Sequence, residues 1–317
     1  MRVGLFTNNY LPMLGGVSRA VETVRTALVT LGHRPVVVAP RMAGGNGSTP
    51  DVLRVPAVPA PTYPDFALPL PASAAVVRRI EALDLDVFHA QHPFLLGVTA
   101  RRLARRLGRP LVFTYHTLYD KYAHYVPLPR PLVARQAVLW SLAFANSADL
   151  VNAPSAGLAS RLRAQGVRRP VVVLPTGVDL ETFRPGDREA ARRALGLPPG
   201  GPLCLYVGRL DREKNLEFLL DAFALVGARE PAARLVLVGR GTWEARLRRH
   251  AARLPGDRIH FAGGVAPEDA PRYYQAADVF LFASTTETQG LAVLESMAAG
   301  RPVVAVRASG VEEAVVD

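Results

Sequence analysis

Ser284-Thr285-Thr286-Glu287-Thr288-Gln289-Gly290-Leu291-Ala292-Val293-Leu294-Glu295 follows directly on the short apolar run from Val279 to Phe282. The run reads as a buried strand, and residues 291–299 as a helix stopped by Gly300 and Pro302. A polar turn between such a strand and helix lies at the carboxyl end of a parallel strand. Open α/β sheets bind ligands there, and a helix N-terminus offers N–H groups to an anion. The backbone of Gly290 and Leu291 would supply those groups. Glu287 lies in the turn and Glu295 about one helical turn beyond it, so the two carboxylates serve different positions. An isolated pair of glutamates is more often solvated surface; the surrounding turn and helix favour a ligand site.

The same arrangement occurs upstream. After the run Leu203 to Val207 comes Gly208-Arg209-Leu210-Asp211-Arg212-Glu213-Lys214-Asn215. A turn leading into a helix near Asn215 lets Arg209 and Lys214 converge over one strand end, as a diphosphate requires. A guanidinium binds phosphate bidentately and an ammonium adds a compact charge. Taken alone, this segment reads equally well as a solvated loop with a helix cap.

Apolar runs at 203–207, 234–238, 259–262, 279–282 and 303–306 predict one doubly wound parallel sheet. Runs at 3–7, 35–39, 87–90, 111–115, 150–153 and 171–174 predict another, with helical patterns near 16–31, 72–83, 94–107, 134–146 and 155–165. Pro175-Thr176-Gly177-Val178-Asp179 separates them, and a polar, proline-containing stretch runs on to Pro202. The expected domains are 1–178 and 179–317. Residues 44–48 read as a flexible loop and 56–71 as a proline-rich irregular excursion.

Composition fits two soluble domains: 317 residues, 49% hydrophobic and 21% charged. No apolar run reaches the length of a spanning helix, residues 132–145 being broken by Arg135 and Gln136. The N-terminus lacks a signal-peptide pattern, which points to a cytoplasmic address. Cys204 is the only cysteine, so no intrachain disulfide or cysteine-based metal site forms. A balance of 38 basic and 27 acidic residues suits a phosphorylated ligand, an anionic membrane or a nucleic acid. The scattered arginines come without an aromatic stacking motif, which argues against nucleic acid. Lys121 and Lys214 are the only lysines.

In the first half, Leu14-Gly15-Gly16-Val17 joins strand to helix and lets backbone approach a ligand closely. Neither a GxGxxG nor a Walker A spacing occurs, which counts against a dinucleotide oxidoreductase or a P-loop enzyme. His116 closes the strand 111–115; His89 and His92 flank another strand end without a second ligand cluster that would suggest zinc.

With these pieces in order along its length, the chain resembles the family-four retaining glycosyltransferases. That resemblance implies a GT-B fold, two Rossmann-like domains with a donor cleft between them. It also implies a nucleotide-sugar substrate, a UDP- or GDP-hexose, with no cofactor and no metal. Gly15, Gly16, Gly208, Arg209 and Lys214 would then hold the donor diphosphate. Glu295 would bind the ribose, Glu287 the sugar, the Gln289 to Leu291 backbone sugar or phosphate, and His116 the hexose near the reacting carbon. Gly263, Gly264 and Val265 would border the base.

The stretch from Tyr115 to Tyr125 resembles the diacylglycerol glucosyltransferases, which implies a lipid acceptor and a peripheral place on the inner face of the cell membrane. Tyr119, Tyr122 and Val126 at helical spacing beside Lys121 suit either an aromatic edge at lipid headgroups or a helical core. Arg101, Arg102, Arg105, Arg106 and Arg109 form a basic stripe for an anionic surface, or an ordinary solvated face. Other acceptors compatible with the chemistry are phosphatidylinositol and soluble glycans, reached by a mannosyl- or other hexosyltransferase. Family chains continue past residues 303–306, so the resemblance also implies a C-terminally incomplete second domain and leaves an inactive sugar-nucleotide-binding fragment as a further alternative.

Overall fold

The computed structural model describes residues 1–13, 15–41, 51–60, 63–70, 73–125, 129–308 and 310–315. Leu14, the loop at 44–48 and Val126 lie outside the described residues. The chain divides into two compact units, Met1–Gly177 and Val178–Asp317.

In the first unit the elements run β1 (Arg2–Phe6), α1 (Gly16–Thr30), β2 (Arg34–Pro40), β3 (Val52–Val55), β4 (Ala57–Ala60) and β5 (Tyr63–Pro69). They continue with α2 (Ala74–Glu81), β6 (Val87–Ala90), α3 (Leu96–Leu107), β7 (Leu111–Thr114), a 3-10 helix (Tyr119–Tyr125), α4 (Arg130–Ala145), β8 (Leu150–Ala153), α5 (Ala156–Ala164) and β9 (Val171–Val173). Seven parallel strands pair in the order β3-β2-β1-β6-β7-β8-β9. Successive residues of β2, Val37, Val38 and Ala39, point to opposite faces and are all buried, so both faces of the sheet are covered. One core forms around Phe6, Phe88, Phe113 and Phe144, and a second around Leu5, Val21 and Val37.

The second unit contains α6 (Arg188–Ala194), β10 (Leu203–Val207), a 3-10 turn (Arg212–Lys214), α7 (Leu216–Arg229), β11 (Arg234–Val238), α8 (Glu244–Ala251) and β12 (Ile259–Gly263). It ends with α9 (Ala270–Ala276), β13 (Val279–Phe282), α10 (Leu291–Ala298) and β14 (Val303–Ala305). Its parallel sheet has the order β12-β11-β10-β13-β14. All of β10 is buried, at the centre of a single core with Leu220, Phe223, Tyr274 and Phe280. This order puts the loops after β10 and β13, the two motifs of the sequence, side by side.

Three local expectations need correction. The proline-rich excursion contains an ordered antiparallel hairpin, β4 with β5, because its prolines fall where a two-stranded ribbon tolerates missing N–H donors. The polar stretch before Pro202 contains α6, capped by Asp187, whose carboxylate accepts from the Ala190 N–H. Tyr119 and Tyr122 lie on a 3-10 helix, where the α-helical spacing does not hold.

Candidate functional site

The carboxyl ends of β10 and β13 bring Arg209, Lys214 and Glu287 together. Lys214 Nζ donates to Glu287 Oε1 at 2.6 Å, with both side chains mostly buried. The two loops are also tied directly, since Asn215 Nδ2 donates to the Ala283 carbonyl at 3.3 Å. Burial alone would raise the Glu287 pKa, but the Lys214 ammonium, with help from Ser284 and Arg209, holds it below the usual carboxylate range. Glu287 is therefore ionised at neutral pH.

Arg209 is held by two acids that the sequence reading passed over. Its guanidinium donates to Asp211 Oδ2 and Glu213 Oε1, both at 2.5 Å, and both carboxylates are buried. Asp211 in turn accepts from the Thr242 backbone N–H at 2.7 Å and its hydroxyl at 2.8 Å. The signal was present in the quoted motif, where acids at two and four residues beyond Arg209 reach back to it. Fixed carboxylates orient a cation before a ligand arrives, which lowers the cost of ordering it on binding.

Backbone geometry explains the glycines here. Gly208 and Gly239 have φ of +158° and +138°, and a Cβ on Gly239 would lie 1.9 Å from the Gly208 carbonyl oxygen. The loops after β10 and β11 thus pass in contact. Gly263, with φ +75°, ends β12, and its carbonyl accepts from the Gly239 N–H at 2.8 Å. Gly264 and Val265 follow it on the same edge of the sheet. Gly290 caps α10 in the left-handed region at φ +76°, so Gln289, Gly290 and Leu291 form the head of that helix. Gly310 packs behind this turn; a Cβ there would lie 2.5 Å from the Thr288 carbonyl carbon.

Glu295 occupies a different environment. It is buried on α10, and its Oε2 accepts from the Tyr274 hydroxyl of α9 at 2.7 Å. Tyr274 carries no sequence signal, lying beside a second tyrosine between Arg272 and Gln275.

In the first unit, polar groups gather at the carboxyl ends of β1, β6 and β7. Asn8 follows β1; its backbone N–H donates to His92 Nδ1 at 3.2 Å and its side-chain oxygen accepts from Leu96 N–H at 3.1 Å. His116 Nε2 donates to Gln91 Oε1 at 2.7 Å, and His89 Nε2 lies 2.7 Å from Thr114 Oγ1. Burial, with His92 and His89 as positive neighbours when protonated, pushes His116 down to about 3; burial pushes His89 and His92 to about 4. All three imidazoles are neutral at physiological pH. Gly15 and Gly16 open α1, and neither has positive φ or, among the described residues, a neighbour that a Cβ would strike. Packing among the described residues therefore does not require glycine at either position.

The acceptor candidates divide. Tyr119 is a core residue, its ring edge-on to Phe94 and Tyr115, so it forms no exposed aromatic edge. Lys121 is exposed and Tyr122 half-buried. Arg102 and Arg105 are exposed on α3, whereas Arg106 pairs with Glu81 and Arg101 lies 5.3 Å over the Phe144 ring of α4.

Residues 14–182 match the family described as Glycosyltransferase Family 4, and residues 187–317 match Glycosyl transferases group 1. The chain belongs to glycosyltransferase family 4. This glycosyltransferase is 34% identical to an alpha-monoglucosyldiacylglycerol synthase of Streptococcus pneumoniae over 96% of its own length and 71% of the relative's. It is also 34% identical to a GDP-mannose-dependent alpha-mannosyltransferase of Mycobacterium tuberculosis, over 98% and 80%. Its fold matches an Anabaena protein, HepE, solved in complex with UDP and glucose: TM-score 0.79, 22% identity, 100% of this chain and 83% of that one. Both domains are thus the Rossmann-like halves of a GT-B glycosyltransferase.

Proposed function

We propose that this family-four enzyme transfers a hexose, glucose in the first instance, from a nucleotide sugar to a lipid hydroxyl such as that of diacylglycerol, with retention at the anomeric carbon and without a metal ion. The observation that carries the reading is the Lys214–Glu287 pair beside Arg209 at the head of α10. A cation for the diphosphate and an acid for the sugar hydroxyls stand in contact, as the junction of a sugar with its phosphate demands. Gly208, Gln289, Gly290 and Leu291 supply backbone to the same donor, Glu295 its ribose, and Gly263 and Val265 its base. Gly15, Gly16 and His116 serve the donor from the first unit.

The bond from the anomeric carbon to the diphosphate oxygen breaks toward an oxocarbenium-like state. Arg209, Lys214 and the helix N–H groups take up the charge on the leaving diphosphate. The acceptor oxygen bonds to the anomeric carbon on the face the diphosphate leaves, and its proton passes to a diphosphate oxygen. The cations do the electrostatic work that a metal does elsewhere.

The lipid acceptor is supported by the diacylglycerol-glycosylating relatives from Streptococcus pneumoniae and Acholeplasma laidlawii. It is also supported by α4, whose exposed face carries Leu132, Leu139 and Trp140 with Arg130 and Arg135. Apolar groups flanked by arginine suit a peripheral site on an anionic inner membrane face. A GDP-mannose donor is the second reading, favoured by the mycobacterial relative at equal identity. Incubation with UDP-glucose or GDP-mannose and diacylglycerol vesicles, with mass spectrometry and anomeric coupling of the product, tests both. An α-glucosyl lipid is expected; a product with inverted configuration, or none with either donor, would sink the proposal.

A further inference from the structure

We propose that Gln91 is the positioning residue of the first unit's site: its Oε1 holds the His116 imidazole with the proton on Nε2, and its amide N–H group meets an oxygen of the ligand that His116 faces. Only the identity of that ligand, the hexose of a sugar nucleotide, rests on the function proposed above.

Three observations converge. Gln91 is 1% exposed at the end of β6, with its backbone N–H bonded to the Phe6 carbonyl, so its side chain has little freedom. Its Oε1 accepts from His116 Nε2 at 2.7 Å. Its own Nε2 has no hydrogen-bond partner among the described residues. Buried amide N–H groups are rarely left unmet, and one pointing at no protein acceptor beside a candidate site calls for a ligand oxygen.

The choice of amide over carboxylate carries chemical meaning. An imidazole that donates to a carboxylate is stabilised as the imidazolium and becomes a general base, as in hydrolytic triads. An amide oxygen orients the ring without stabilising the cation. His92 and His89, titratable groups that act on His116, also disfavour its protonation. His116 is thereby kept as a neutral hydrogen-bonding group, suited to an uncharged sugar hydroxyl and unsuited to activating water against the donor.

The test uses the whole chain, with His116 assigned in long-range proton–nitrogen NMR spectra by its loss in His116→Asn. Wild-type His116 should be a neutral, Nε2-protonated ring that does not titrate above about pH 5. Gln91→Glu, which keeps the shape, should raise its titration midpoint by about two pH units or more. Gln91→Leu should mix the tautomers and lower kcat/KM for the sugar nucleotide on the order of ten-fold, and Gln91→Asn, too short to reach, should behave alike. Unchanged titration in Gln91→Glu, or wild-type kcat/KM in Gln91→Leu, overturns the assignment. A wild-type protein that turns over no sugar nucleotide while Gln91→Glu still shifts His116 would defeat the transferase reading and uphold the grip of Gln91 on the ring.

Discussion

Lys214 combines two roles that mutation can separate. It neutralises Glu287 in the folded protein, and in the proposed reaction it neutralises the leaving diphosphate. Lys214→Ala is expected to lower kcat by about 100- to 1,000-fold, the loss of about 2.7 to 4 kcal/mol typical of one preorganised donor. It should also cost stability, because Glu287 is left buried without its cation. The double variant Lys214→Met with Glu287→Gln should recover most of that stability in chemical denaturation and none of the activity; recovery of activity would show that the pair is structural. The histidines make a second prediction. His89, His92 and His116 have folded pKa values of about 4, 4 and 3, below the ordinary value of 6.5, so between those limits the unfolded chain binds more protons. Stability should be flat above about pH 7 and fall as pH drops from about 6.5 toward 4, by up to about 1.4 kcal/mol per pH unit for each histidine. Thermal melts across that range, repeated with His89→Gln to flatten the slope, check it.

At the scale of elements, the second unit depends on a knot at Asp278, just before β13. Its carboxylate accepts from Arg192 Nη2 at 2.6 Å and from the Leu203 N–H at 2.7 Å, joining α6 to the start of β10. Arg192 is 2% exposed and also donates to the carbonyls of Ala276 and Gly201. Arg192→Ala should destabilise the protein by about 1.5 to 3 kcal/mol in denaturant titrations, because the Ala276 and Gly201 carbonyls lose a buried charged donor while the partly exposed Asp278 keeps Arg188. The head of α10 is the other sensitive joint. Gly290→Ala places a Cβ on a left-handed residue and should cost about 1 to 2 kcal/mol, with a larger effect on donor binding than on melting temperature. Strands and helices with buried, uninterrupted apolar runs were legible along the chain: β6, β8, β10, β11 and β13 begin and end where the apolar runs do. The β4–β5 hairpin and α6 were not, because hairpin pairing and a capped polar helix depend on neighbours rather than on local hydrophobicity.

For the whole molecule, no helix among the described residues is long and apolar enough to cross a membrane. The lipid acceptor proposed above calls for a surface that a membrane can meet. In that proposal the groups that meet it are the exposed Arg102 and Arg105 of α3 and the exposed Arg130, Arg135, Leu139 and Trp140 of α4, in a chain of net charge +11. Binding to anionic vesicles should weaken as salt rises, and Arg102→Glu with Arg105→Glu should reduce co-sedimentation while leaving turnover of a detergent-dispersed acceptor near normal. Salt-independent binding would place the contact on the apolar residues of α4 alone.

The order of apolar runs, the two motif loops and the types of their charged residues were enough, read along the chain, to specify two doubly wound sheets and the family. Those features are local: a strand buried on both faces is apolar throughout, and a phosphate-binding turn needs its glycine and cations within a few residues. Partnership was decided in three dimensions. Lys214 meets Glu287 across 73 positions because adjacent parallel strands place their loops at one sheet edge, and Tyr274 meets Glu295 across 21 because α9 and α10 pack together. Whether Tyr119 faces lipid or core, and whether Gln91 matters at all, depended likewise on what the fold packed against them.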